Sequence, residues 1–215
     1  KTITLTPSQS KAIDYLAKWD RNADVHSIAT SIAIEWATQL AAKIPPPTTE
    51  EEGTQLIKKY HRMVNEVPNE KKLALLDASL MQLEKIYGTW ELPWGDINRY
   101  QRVNPDEKYN DNTTSIAVAQ TSSKWGQLPA FESRRMEGTI KRYGFSGNSF
   151  VAAVSFGKKV EAKTIITGGQ SRFSNNIHFT DQAEGYIQGN FKNIHFYKED
   201  VLRHAVTSYN PGLAK

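Results

Sequence analysis

Cysteine is absent from the 215-residue chain, which excludes disulfides, thiolate catalysis and cysteine-ligated zinc together. Long apolar runs are missing too. No stretch approaches the roughly 18 apolar residues of a membrane-spanning helix, and no secretory leader is visible. The first residue is Lys1 rather than Met, so this start is expected to be an expression boundary or a cleavage product. Charge of one sign is also scarce. The 27 Lys and Arg against 23 Asp and Glu leave a formal charge of +4. That excess is spread over pairs such as Lys58-Lys59, Lys71-Lys72, Arg134-Arg135 and Lys158-Lys159, and a nucleic-acid surface would show a denser basic face.

The common catalytic patterns are thin as well. His26, His61, His178, His195 and His204 include no pair at the spacing of helical or loop metal ligands, and each reads as a surface or hydrogen-bonded histidine. Glu50, Glu51 and Glu52 read as acidic residues complementing a helix N-terminus, not as a cation site. No Gly-x-Ser-x-Gly elbow is present. Gly144-Phe145-Ser146-Gly147 comes closest, but it lies between two expected strands, where a hairpin turn explains it. No carboxylate pair stands out for glycosidase-like chemistry. Trp90, Trp94 and Trp125 read as anchors of connections to the core in preference to a ligand-lining surface.

What is present is the composition of an ordinary globular protein, 39% hydrophobic and 23% charged. The first half reads as four amphipathic helices. Thr6, Pro7 and Gln9 form a capping box with proline at the first helical position, followed by Ile13, Leu16 and Trp19. A second helix is expected over 27–43, with Ile28, Ile32, Trp36 and Leu40 on one stripe and Pro45-Pro46-Pro47 as its stop. Thr49 to Glu52 is a second capping box ahead of Leu56, Tyr60, Met63 and Val67. Asn69 is expected to cap a fourth helix carrying Leu73, Leu76, Leu80, Leu83 and Tyr87, closed by Gly88.

The character changes after Trp90. Residues 91–111 read as a long surface-hugging connection, rich in turn formers. Strands are expected at Ile116 to Val118, then over 139–145, 149–156 and 160–167, the last three as an antiparallel meander. Phe150 to Val154 is nearly all apolar, as in a strand covered on both faces. A short helix over 181–188, a strand over 193–197 and a last helix over 198–206 complete the pattern. The fold class is therefore α+β, with a helical region at 1–90 and a β-meander region with closing helices at 91–215.

The most specific stretch is Gly168-Gly169-Gln170-Ser171, followed by His178, Asp181-Gln182 and Tyr186. The glycines permit a tight turn, Gln170 and Ser171 offer groups for buried backbone, and Asp181 is placed to cap the next helix. Taken physically, this is a structural corner and requires no catalysis.

The same stretch resembles the C-terminal signature of the penicillin amidase family. The resemblance continues, in the family's order, through Tyr15 to Trp19-Asp20, the stripe from Ile32 to Leu40, Leu76-Asp77 to Tyr87-Gly88, Trp94-Gly95-Asp96 with Arg99, and Lys198 to His204. Arg172 after the Gly-Gln-Ser, and Phe179-Thr180 before the Asp-Gln, depart from the family pattern and blur the subfamily.

The resemblance implies a C-terminal portion of the catalytic β chain of an N-terminal nucleophile hydrolase with an αββα core, both regions belonging to one larger domain. Such enzymes cleave an acyl-amide bond without a cofactor. An autocatalytic cut exposes a serine whose α-amino group, of ordinary pKa about 8, serves as base. A backbone N–H and an asparagine side chain hold the oxyanion. All of these residues are expected upstream of Lys1; Lys1 is no nucleophile, and Thr2 would first need Lys1 removed. No catalytic, cofactor-binding or metal residue is therefore assigned to this chain, and the fragment alone is expected to be inactive. The implied partners are the α chain and the N-terminal part of the β chain, with a small amide substrate, no nucleic acid and no membrane. The implied location is periplasmic or extracellular. Penicillins, cephalosporin precursors, acyl-homoserine lactones and other amides all remain open as substrates. The alternative from another class is a free-standing, non-enzymatic domain that binds a ligand or protein, distinguished by a native gene start close to Lys1.

Overall fold

The computed structural model describes residues 4–44, 56–210 and 212. Two compact units divide the chain, one up to Gly147 and one from Asn148 onward. The boundary in compactness thus falls well after the change from helices to strands near residue 90.

In the first unit, helix α1 (Pro7–Lys18) starts as its sequence dictates. The Gln9 N–H donates to Thr6 Oγ1 at 3.2 Å, and the Thr6 N–H donates to Gln9 Oε1 at 2.8 Å. Helix α2 (Ile28–Ala41) is capped by Ser27, whose hydroxyl accepts from the Thr30 N–H. Helix α3 (Leu56–Asn65) and helix α4 (Asn69–Tyr87) follow. The proline stop at 45–47 and the capping box at 49–52 lie outside the described residues. Asn69 is not the cap of α4: Pro68 occupies that position without a side-chain bond, and Asn69 Oδ1 instead accepts from Lys72 Nζ. Gly88 closes the helix with φ 79°, a left-handed conformation that glycine adopts without steric cost.

The helical stripes meet as expected. Ala12, Ile32, Leu76 and Leu80 form one buried cluster with Ile13, Leu16, Ile28 and Trp36 packed around it. Leu40, Met63, Val67 and Leu75 form a second. Burying side chains of this size contributes about 1.5–3 kcal/mol each. Polar groups are matched within this packing: Gln9, itself buried, donates from Nε2 to Asp77 Oδ2 at 2.8 Å, and Trp36 Nε1 donates to the Lys72 carbonyl at 2.9 Å.

Of the surface connection expected over 91–111, residues 101–111 are irregular and at least partly exposed, but 92–100 are instead the middle of the unit. Leu92, Trp94, Ile97, Asn98 and Tyr100 are all buried. Leu92 precedes, and the others belong to, the one-turn helix α5 (Trp94–Ile97) and strand β1 (Asn98–Tyr100). β1 sits in a four-stranded sheet with β2 (Ile116–Ala117), β3 (Phe131–Arg135) and β4 (Arg142–Gly147), in the order β2-β1-β4-β3. β1 and β4 run parallel, and the other two pairings are antiparallel. The strand expected over 139–145 is β4. It joins this sheet, not a meander with the two that follow, because β3 and β1 occupy its two edges.

The second unit holds strands β5 (Phe150–Ser155), β6 (Glu161–Ile166) and β7 (Lys192–Asn193) in that order, all antiparallel. Helix α6 (Ala183–Gln188) packs on β6, and helix α7 (Lys198–His204) closes the chain. Its buried core is small: Ile165, Phe179, Ala183 and Tyr186. The strand expected over 193–197 shrinks to the two residues of β7. β5, expected to be covered on both faces, is largely exposed, with Phe150 at 58% and Val154 at 47%. The chain is thus an α+β protein whose described residues form seven α-helices and two small, mostly antiparallel sheets.

Asn98 is fully buried, and its Nδ2 donates to the carbonyls of Val118 (2.8 Å) and Gln120 (2.9 Å). Asn98→Ala strips both acceptors of their donor, so urea denaturation is expected to register a loss of about 2–4 kcal/mol. Burial also pushes the hydroxyls of Tyr87 and Tyr143 from 10.0 up to about 12, with Asp111 adding to the effect on Tyr143. A raised folded-state pKa means stability that is complete below pH 10 and lost as pH climbs toward 12. Alkaline unfolding of this unit is therefore expected in that window, detected as tyrosinate absorbance rising together with loss of helical circular dichroism.

Candidate functional site

The glycine-rich stretch leaves β6 at Thr167 and turns at once. Gly168 is buried, and its carbonyl accepts from the Gln182 N–H at 2.8 Å, fastening the turn to the start of α6. A Cβ on Gly169 would lie 2.1 Å from the His178 carbonyl oxygen and 2.7 Å from Asp181 Oδ1, so no other residue fits there without displacing backbone. The Ser171 N–H donates to that same His178 carbonyl at 3.0 Å. Ser171 Oγ in turn accepts from the Phe173 N–H at 3.1 Å. Gln170 faces solvent, while Gln182 is buried with its Oε1 unpartnered. It is thus Gln182, not Gln170, that reaches the interior of the corner.

Asp181 does not cap α6; Gln182 holds the cap position without a side-chain bond. The Asp181 carboxylate lies 2.7 Å from His178 Nδ1 instead. A histidine oriented by a carboxylate is half of a nucleophile-activating relay. The other half is not assembled: Ser171 meets His178 only through backbone, and its hydroxyl is engaged with Phe173. The arrangement braces a turn. Phe179, Ala183 and Tyr186 nearby are buried, as is Ile165 on β6.

The other sequence candidates fall as follows. Ser146 is an exposed residue within β4, opposite Glu132, with no strand-to-helix elbow around it. Trp94 is a core anchor, 3% exposed, donating from Nε1 to the Ala119 carbonyl at 3.2 Å. Trp90 packs edge-on to Tyr15, and Trp125 stacks with Tyr60. His195 and His204, which sequence spacing keeps apart, stack face to face at 3.9 Å because β7 and α7 fold back on each other. His204 Nδ1 lies 2.8 Å from the Asp200 carbonyl oxygen. Parallel rings direct their nitrogens alongside one another, not toward a common point. Among the described residues, no three His, Asp or Glu converge as metal ligands.

The penicillin amidase family profile matches residues 2–203. The chain belongs to the penicillin amidase family. Among solved structures, it is similar to a thermostable penicillin G acylase from Alcaligenes faecalis, at 14% identity and a TM-score of 0.42, over 97% of this chain and 43% of that one. The chain therefore spans under half the length of the acylase chain it matches. No curated protein gives a match.

Within this penicillin amidase family chain, the stereochemistry of the corner makes a sharp expectation. Gly169→Ala collides with backbone at 2.1 Å, whereas Asp181→Asn removes one exposed pairing. The alanine variant is expected to cost about 2–4 kcal/mol, and the asparagine variant under about 1 kcal/mol, in thermal unfolding of the second unit. Equal losses in the two would remove the steric account.

Proposed function

We propose that this chain supplies the C-terminal part of the β chain of a penicillin amidase-like N-terminal nucleophile hydrolase. In this reading the intact enzyme cleaves an acyl-amide bond of penicillin or acyl-homoserine lactone type. Its serine nucleophile, α-amino base and oxyanion donors come from the part of the protein upstream of Lys1. The role of these 215 residues is to complete the core that positions those groups. The intact enzyme works outside the cytoplasm, in the periplasm or beyond.

Family membership over residues 2–203 supports the reaction class. The single observation that carries the completing role is the apolar surface of the second unit. Phe150, Phe156, Phe173, Ile177, Phe196 and Leu202 are exposed at 57–85%, across a unit whose buried core has few members. Monomeric domains rarely leave so many large apolar side chains in water over so small a core. β5 is also an edge strand with unpaired backbone groups and an apolar sequence, the combination that invites pairing or cover. An α chain and the preceding part of the β chain are the covers this reading supplies.

Co-expression tests it. The 215-residue chain alone is expected to give no hydrolysis of a chromogenic phenylacetyl or fatty-acyl amide. Co-expression with the upstream codons of its native locus is expected to give turnover, together with an N-terminal serine at the cleavage junction. Turnover by the chain alone, or a start codon immediately before Lys1, would overturn the proposal and favour the free-standing binding domain.

A further inference from the structure

The first unit contains a cavity of about 120 Å³ between α2, α4 and the sheet. Arg135 and Arg142 line its wall, with Glu35 as the one acidic side chain; Arg134 also borders it, but its guanidinium sits 4.4 Å from the Phe145 ring centroid. None of the three arginines forms an ion pair among the described residues, whose salt bridges lie elsewhere. The placement is imposed by strand register. Arg135 and Arg142 stand directly opposite each other on antiparallel β3 and β4. Like charges facing across a strand pair are destabilising unless something neutralises them.

Two further observations concern the same wall. Arg142 Nη2 donates to the Ser133 carbonyl at 2.9 Å, which fixes the guanidinium plane, yet its Nε is closed off from solvent with no acceptor in reach. A buried donor on a charged group with no acceptor costs more than an ordinary missing hydrogen bond. The Tyr87 hydroxyl lies on the same wall, held protonated by burial and therefore available as a neutral donor. The guanidiniums of Arg135 and Arg142 against the one carboxylate of Glu35 leave the wall with a formal excess of one positive charge.

We propose that this cavity is a binding site for a small oxyanion, a carboxylate or phosphate group, held by Arg142 and Arg135. The planar fork of a guanidinium matches two oxygens of such a group, and the exposed Arg135 presents one. The exposed Arg135 marks the open end, where an anion enters and where the field is positive. Glu35 opposes the anion and limits its affinity. The site needs no nucleophile and stands independently of the hydrolase reading.

Titration of the protein with sodium phosphate and, separately, sodium acetate tests this, with ionic strength held constant by chloride. Tryptophan fluorescence is the readout, since Trp94 lines the cavity. The expected result is a saturable one-site response to at least one of the two anions; which of them binds more tightly identifies a phosphate or a carboxylate as the group recognised. Arg142→Gln should weaken it about tenfold or more, as should Arg135→Gln, which lies at the exposed end and leaves the core untouched. Glu35→Gln should tighten it several-fold, an effect opposite in sign to a merely damaged fold. Absence of saturable binding beyond chloride, equal affinity in Arg135→Gln, or weakening in Glu35→Gln would each overturn the proposal.

Discussion

The helical layer and the first sheet are joined where Gly95 passes against Val25. A Cβ at position 95 would lie 2.8 Å from the Val25 Cβ and 2.9 Å from its carbonyl oxygen, so the approach admits only glycine. That closeness lets the Gly95 N–H donate to the Val25 carbonyl at 2.8 Å and the Trp94 N–H donate to the Ser27 carbonyl at 3.2 Å. Ser27 is also the cap of α2, so one short segment serves the start of two helices at once. Ser31 extends the seam one turn further by donating to the Leu92 carbonyl at 2.9 Å. Trp94 then falls among Leu83, Leu92 and Ile97, and β1 begins immediately after it. The sheet is consequently aligned to the helices by backbone contacts, and the side-chain clusters fill the space those contacts define.

This seam separates what local sequence encodes from what it does not. The capping box at Thr6 and Gln9 and the left-handed Gly88 are decided within a few residues, and both are legible in the sequence. Helical stripes were legible for the same reason, since period 3.6 is a property of the segment itself. Trp94, Gly95 and Asp96 next to prolines carry local turn chemistry, yet their partners are residues 25, 27 and 119, far along the chain. β3 escaped reading because Phe131, Glu132, Ser133, Arg134 and Arg135 show no apolar alternation. Its strand state comes from pairing with β4, including an irregular register at Glu132 and Ser133. Pairing partners are non-local, and no window of sequence displays them.

The second unit shows the converse case. An unbroken apolar run at Phe150 to Val154 was read from the sequence as a strand, and β5 is one. The cover expected on both faces is absent among the described residues, because hydrophobic pattern encodes that a face seeks burial and not what buries it. The same distinction governs the histidines. Spacing along the chain separates His195 from His204, whereas a two-residue strand followed by a helix returns them to within stacking distance. Spacing rules detect ligands carried by one element, and they pass over contacts created when two elements fold together.

The Gly-Gln-Ser corner is constrained by backbone geometry more than by the chemistry of its side chains. Its specificity is stereochemical: a buried glycine carbonyl receiving the Gln182 N–H, and a second glycine seated against the His178 carbonyl. His178 and Asp181 then lock the return of the chain at 2.7 Å, and Tyr186 and Phe179 nearby are buried. Each of these demands excludes most alternative residues, so the pattern is informative even where no bond is made or broken. Substrate choice follows a different logic, because it rests on side chains that face a ligand and can be exchanged without disturbing backbone. A corner built on backbone clearance therefore restricts its own residues independently of any ligand.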